Sequence, residues 1–298
     1  MSVDVLAQVN VQSLKLAHGR ARGAAGLFSL PLRQRVWRGG SGDFMGRGTG
    51  SSMDFQDHRA YSPGDDPRHI NWQAYARTGQ YSMKLFREEV RPVVDIILDG
   101  SPSMQLTAEK TNRILELTMF AWESALQSGA VAQVWVVTSR SATRVPPEAL
   151  HSGAWGGFLT GSSETAPLLL QAIPLRALAL RVLISDLLFP GSAEEMTGAL
   201  AVRQGRGIIL APFCGEEAEP AWDGNMEFID VENDGRHPRR VEPALLQRYR
   251  AAYARHFSLW KEAAQRHSVV MARVPSAVDL PAALQSEALR LGAVEPRV

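Results

Sequence analysis

The chain has 298 residues, 45% of them hydrophobic and 21% charged, and a net charge of +1. That is an ordinary globular composition, large enough for one sizeable domain plus an extension, and its balance gives no global reason to expect nucleic acid. The one cysteine, Cys214, excludes an intramolecular disulfide and fits a reducing compartment, and no apolar run approaches the roughly 18–20 residues that a membrane span needs.

Charge is uneven along the chain: residues 1–47 carry +5, which leaves −4 for the rest. Such an arm can meet an acidic partner or surface, but the expectation is a solvated, partly mobile segment. The N-terminus lacks the apolar core of a signal peptide, so the protein is expected in the cytoplasm. Within residues 4–18, Val5, Leu6, Val9, Val11, Leu14 and Leu16 give loose helical spacing. Arg38–Ser52 is rich in glycine and serine and reads as a loop or linker. No Gly-Lys-Ser/Thr follows those glycines or occurs elsewhere, so ATP hydrolysis by this chain is not expected.

Gln80–Glu88 alternates as a strand does, and Val93–Leu98 is an apolar run suited to a buried one. Thr107–Ser128 reads as a helix, with Ile114, Leu117, Ala121, Ala125 and Leu126 on one face and Gly129 as its stop. Further strands are predicted at Val131–Thr138, Arg181–Leu188, Gly207–Phe213 and Val269–Val274. Between them lie a Gly/Ser-rich loop at Gly153–Ser163, a short helix at Thr165–Ala172 and a helix at Glu194–Arg203. A long helix runs from Pro243 to about His267, its apolar face lined by Leu246, Tyr249, Tyr253, Phe257, Trp260 and Ala264. Strands alternating with helices predict an α/β fold: a doubly wound, mainly parallel sheet with flanking helices. The division expected is a basic, partly flexible extension at 1–53, a segment at 54–91 packed on the main domain, and the sheet domain at 92–298.

Loops that follow parallel strands gather at one edge, and three of them carry oxygen ligands. The first supplies Asp99, Ser101 and Ser103; the second Ser162, Ser163 and Thr165; the third Asp186. Two carboxylates and several hydroxyls suit a hard cation such as Mg2+, which keeps some of its waters. Helix capping is the structural alternative for Ser101 and Ser103. This Asp-x-Ser-x-Ser, hydroxyl, Asp order resembles the metal-ion-dependent adhesion site of von Willebrand factor A domains. The resemblance implies Mg2+ (or Mn2+ or Ca2+) held by Asp99, Ser101, Ser103 and Asp186, with Ser163 or Thr165 from the second loop.

Residues 54–78 hold a second constellation: the turn Pro63-Gly64, then Asp65, Asp66, Arg68, Trp72 and Arg77. Turn, acid, base and aromatic together read as a buried or half-buried polar lock, in which Arg68 or Arg77 pairs Asp65 or Asp66. The functional alternative is a docking epitope or a second face of the metal site. The run Tyr61-Ser62-Pro63-Gly64-Asp65-Asp66-Pro67-Arg68-His69-Ile70-Asn71-Trp72, continuing to Ala76-Arg77-Thr78, closely resembles the signature of the domain-of-unknown-function 58 family. Asn71 stands where that family commonly has Asp. The resemblance extends from about Asp54 to Leu284, taking in Phe228-Ile229-Asp230, Tyr249 and Tyr253. Many relatives begin with two membrane helices; none is read here. The resemblance implies an adaptor or co-chaperone that selects client proteins for a MoxR-type AAA+ ATPase.

Rival classes fare less well. A phosphatase-like hydrolase using Asp99 as nucleophile usually has a second acid two residues on, where Ser101 stands. The seven histidines are scattered without zinc-site spacing. Trp37 beside Arg35 and Arg38 is too little aromatic surface for a nucleic-acid platform. The reading is a non-catalytic, divalent-metal-dependent interaction module, with the hydrolase or a metal-free scaffold as alternatives.

Overall fold

The computed structural model describes residues 9–32, 54–87, 91–159, 166–231 and 235–297. Two compact units form, one from residues 1–35 and 92–298 and one from residues 36–91. In chain order the elements are α1 (Val11–Leu27), β1 (Phe28–Ser29), β2 (Asp54–Ala60), α2 (Trp72–Thr78), β3 (Ser82–Arg87), β4 (Val93–Asp99), α3 (Ala108–Gln127), β5 (Val131–Val137), β6 (Ala142–Val145) and α4 (Pro147–Ser152). There follow β7 (Leu180–Ile184), α5 (Ala193–Ala201), β8 (Arg206–Phe213), α6 (Gly215–Ala218), β9 (Gly224–Ile229), β10 (Arg236–Val241), α7 (Pro243–Arg266), β11 (Val270–Pro275), α8 (Leu280–Ala283) and β12 (Glu295–Pro296).

The larger unit is built on a six-stranded sheet in the order β6-β5-β4-β7-β8-β11, parallel except for β6. This is the α/β architecture, a mainly parallel sheet with flanking helices, expected from the strand–helix alternation. Alternate residues of each strand serve opposite faces. Val94, Ile96 and Leu98 of β4 pack with α1, α3 and α8, whereas Ile97 joins Met196, Leu200, Phe257 and Trp260 of α5 and α7. Asp95, also buried, is held by Arg176 at 2.6 Å. From β4 the chain moves one way to β5 and β6, then returns past β4 to β7, β8 and β11. The reversal falls between β4 and β7, and the crevice beyond such strand ends is where open α/β sheets take ligands.

Several local expectations are corrected. The N-terminal helix starts at Val11, because Asn10 and Ser13 make reciprocal capping bonds of 2.8 and 3.1 Å there. Its small residues Ala17, Ala21 and Ala24 are fully buried and let α1 lie against α3. β1 pairs with β12 near the C-terminus. Residues 11–32 are therefore part of the sheet unit and not of a separate extension. The linker at Arg38–Ser52 lies outside the described residues. No α-helix forms over 166–172; Leu170–Ala172 is a single 3-10 turn between Pro167 and Pro174. β7 ends at Ile184 rather than Leu188, since the backbone turns sharply there, with Leu187 at φ +62°. The antiparallel ribbon β9–β10 was not expected from the strand–helix pattern.

In the smaller unit β2 and β3 pair antiparallel, with α2 between them in sequence. Asn71 caps α2 by accepting a bond from the Ala74 N–H at 3.1 Å. That role needs a short side-chain oxygen, which Asn and Asp both supply.

Candidate functional site

β4 delivers Asp99 to the carboxyl edge of the sheet as its last residue. Gly100 follows because the chain passes close to β5: a Cβ there would stand 2.8 Å from Val136 Cγ1 and 3.3 Å from Thr138 Cγ2. The Ser101 N–H donates to Asp99 Oδ1 at 2.9 Å, and Pro102 opens the 3-10 turn Pro102–Gln105. That turn brings the hydroxyls of Ser101 and Ser103 to 3.1 Å from one another. Capping does not explain Ser101, which begins the turn without a side-chain cap bond.

Asp186 lies two residues beyond β7, and Ser185 beside it donates its hydroxyl to Asp99 Oδ2 at 2.6 Å. The strands β4 and β7 are neighbours, so the first and third predicted loops do meet. Ser162, Ser163 and Thr165, the second loop, lie outside the described residues. Asp186 Oδ1 accepts from the Leu188 N–H at 3.0 Å, and its Oδ2 accepts from Lys110 Nζ at 2.7 Å. Lys110 also donates to Glu217 Oε1 at 2.6 Å, and Glu217 Oε2 takes the Cys214 N–H at 2.9 Å. Lys110 comes from the first turn of α3, whose N-cap Thr107 touches Cys214 Sγ at 3.3 Å. His256 reaches from α7 to the Leu187 carbonyl at 2.7 Å and so braces the Asp186 loop.

Sequence reasoning missed Lys110, Ser185 and Glu217. A signal for Lys110 exists: it lies four residues before Ile114, at the head of the apolar stripe assigned to the core. A cation there opposes the helix dipole, so an anionic partner is required. Glu217 lies far along the chain on a four-residue helix and carries no comparable signal.

The electrostatics divide the site in two. Asp99 is buried, and burial first, then the Asp186 charge, push its carboxyl up to about 7 despite the bonds from Ser185 and Ser101. Burial disfavours the Lys110 ammonium, but Asp186 and Glu217 outweigh that and hold it protonated above its ordinary range. Among the described residues Asp99 forms no ion pair. No group of three or more His, Cys, Asp or Glu among the described residues is placed to hold an ion. A cation here would thus rest on one free carboxylate, the Ser101 and Ser103 hydroxyls and its own waters. That donor set is hard, sparse and compatible with Mg2+. The residues present fit the ion that the resemblance implies.

The signature segment is a different kind of site. Arg59, not Arg68 or Arg77, pairs Asp65, in a two-pronged contact of 2.6 and 2.8 Å, and the Ser62 N–H joins at 2.8 Å. Arg68 pairs Asp66 at 2.8 Å, and Asp66 also caps the turn at Pro67–His69. Arg77 donates to its own helix, to the Gln73 carbonyl at 3.4 Å. Trp72 is 57% exposed and meets Tyr75 and Tyr81 edge-on. Of the buried or half-buried lock expected here, the Arg68–Asp66 pair forms and both aspartates are half-buried, whereas Asp65 turns to Arg59 and the arginines and Trp72 stand exposed.

Among solved structures, a conserved hypothetical protein BatB from Bacteroides thetaiotaomicron is similar at 13% identity and a TM-score of 0.36, covering 67% of this chain and 98% of that one. An aerotolerance-related membrane protein from Bacteroides fragilis, carrying multiple mutations to serine, gives 15% identity, a TM-score of 0.36 and the same coverage. A comparison with curated proteins gave no significant match. Residues 57–154 match the family model described as Protein of unknown function DUF58, a stretch that runs from β2 through Asp99 and α3 into α4.

Proposed function

We propose that this protein is a non-catalytic interaction module whose sheet-edge site takes a divalent cation, Mg2+ or else Mn2+ or Ca2+. The observation that supports it is the buried Asp99 carboxylate, which faces two hydroxyls at the switch point of the sheet and has only neutral donors among the described residues. Asp99, Ser101 and Ser103 would hold the ion, with Asp186 beside it and Ser163 or Thr165 as candidates for the second loop. Bound there, the ion would offer an open position to a carboxylate of a partner. By the family resemblance that partner is a MoxR-type AAA+ ATPase in the cytoplasm, for which this protein serves as adaptor or co-chaperone toward client proteins.

Titration of the full chain with Mg2+ and Mn2+ tests the site. Binding is expected in the wild type and is lost in Asp99→Ala while the circular dichroism spectrum is kept. Unchanged binding by that variant sinks the assignment. Capture of the ATPase that is lost with EDTA and restored by Mg2+ supports the adaptor reading. Capture indifferent to chelator favours the metal-free scaffold, a reading to which the Lys110 ammonium on Asp186 lends support. Turnover of a phosphoester that is lost in Asp99→Ala would restore the hydrolase.

A further inference from the structure

Three carboxylates converge behind the sheet edge, and the protein neutralises them unequally. Asp186 and Glu217 share the Lys110 ammonium, at 2.7 and 2.6 Å, while Asp99 receives among the described residues only neutral donors, the Ser185 hydroxyl and the Ser101 N–H and hydroxyl. Lys110 is 1% exposed and Asp186 2%, so water screens little of that attraction. Both Asp186 oxygens already accept a bond, one from Lys110 and one from the Leu188 N–H. Both Glu217 oxygens are engaged likewise, by Lys110 and by the Cys214 N–H. With all three acids ionised, the cluster and its one ammonium sum to −2.

We infer that Lys110 sets the charge of this site so that one divalent cation completes it, and that it holds Asp186 back as an outer acceptor rather than a direct ligand. The inference rests on the metal reading above. Lys110 is a positioning residue here: it touches the carboxylates and not the ion. A cation in the first turn of a helix is held against the helix dipole. The two carboxylates compensate for that placement, and it brings a fixed positive charge to the back of the cluster. A coordinating Asp186 would have to share its Oδ2 with an ammonium at 2.7 Å, which weakens it as a ligand. Among the described residues Asp99 has no such competitor.

A charge series measured on the full chain tests this with Mn2+ as probe, read by calorimetry and by thermal midpoint with and without EDTA. Removing the ammonium, as in Lys110→Met, takes the cluster to −3 and should tighten Mn2+ about tenfold or more. The Mn2+-induced rise in midpoint should grow with it. Glu217→Gln, which keeps the size of the side chain, takes the cluster to −1 and should weaken Mn2+ by a similar factor. The double variant Lys110→Met/Glu217→Gln returns to −2 and should bind close to the wild type. A prop with no part in the charge of the site would not give that order, so Mn2+ affinity that is the same in wild type and Glu217→Gln overturns the inference. Should Lys110→Met not fold without metal, Glu217→Gln and the double variant still decide it. A wild type that binds no divalent ion fails the metal reading itself; a wild type that binds, with variants that do not follow their charge, fails this inference alone.

Discussion

The two polar constellations of this chain use the same residue types in opposite environments. In the sheet unit Lys110, Asp186 and Glu217 are joined over long sequence separations, and the first two are nearly sealed from water. In the signature unit Asp65 and Asp66 find Arg59 and Arg68 within six residues, and the Arg68 and Asp66 side chains are 82% and 32% exposed. Water screens the second set and makes each pair weak, whereas the first set exists only because the fold brings its members together out of water. The signature is the more specific pattern in the sequence, yet the chemistry with something at stake lies at the sheet edge.

The strongest way to break this contrast is to remove one partner of the buried set. Lys110→Ala should cost about 3–5 kcal/mol in urea unfolding with EDTA present, since the buried Asp186 and the half-buried Glu217 lose their cation. A loss no larger than that of a surface variant would show that the cluster is wetter than its burial indicates.

Next is pH. Asp99 is raised from 3.8 to about 7 by burial and the Asp186 charge, so the folded state binds a proton that the unfolded chain has released. That contribution is fully present below about pH 4 and is lost as pH rises through about 7, on the order of a few kcal/mol in chelated protein. Stability curves against pH for the wild type and Asp99→Asn should therefore converge at low pH, with the wild type falling more steeply toward pH 8. Parallel curves would contradict the burial of that charge.

Gly100→Ala is expected to cost about 1–3 kcal/mol, because the new methyl meets Val136 and Thr138 and must displace the loop that carries Ser101 and Ser103. It should also weaken Mn2+ binding; loss of stability with unaltered binding would separate the loop from the site. The smallest effects belong to Arg59→Ala and Asp66→Ala, where the thermal midpoint should barely move. A collapse comparable to Lys110→Ala would erase the contrast drawn above.

Much of the fold could be read along the chain. The apolar runs of β4, β5, β7, β8 and β11 and the periodic faces of α3 and α7 are local patterns, and Leu246, Tyr249, Tyr253, Phe257, Trp260 and Ala264 are half-buried or buried as expected. The failures have physical causes. α1 starts late because a capping box, not hydrophobic spacing, sets its first residue. The helix expected at Thr165–Ala172 is absent from its described part, where prolines bracket a single turn. The β9–β10 ribbon bears Arg236, His237, Arg239 and Arg240 on one strand, exposed on both faces, so it has no alternation to reveal it.

The sequence by itself determined the sheet, the order of its strands along the chain, and the placing of Asp99, Ser101, Ser103 and Asp186 at strand ends, since periodicity and turn chemistry are local. Only the tertiary structure decided that β4 and β7 lie side by side, that Ser185 binds Asp99, and that Lys110 joins Asp186 to Glu217 across 76 and 107 positions. The reason is that a buried charge is tolerated only where partners converge in space, and convergence across that much chain leaves no pattern in the order of the residues.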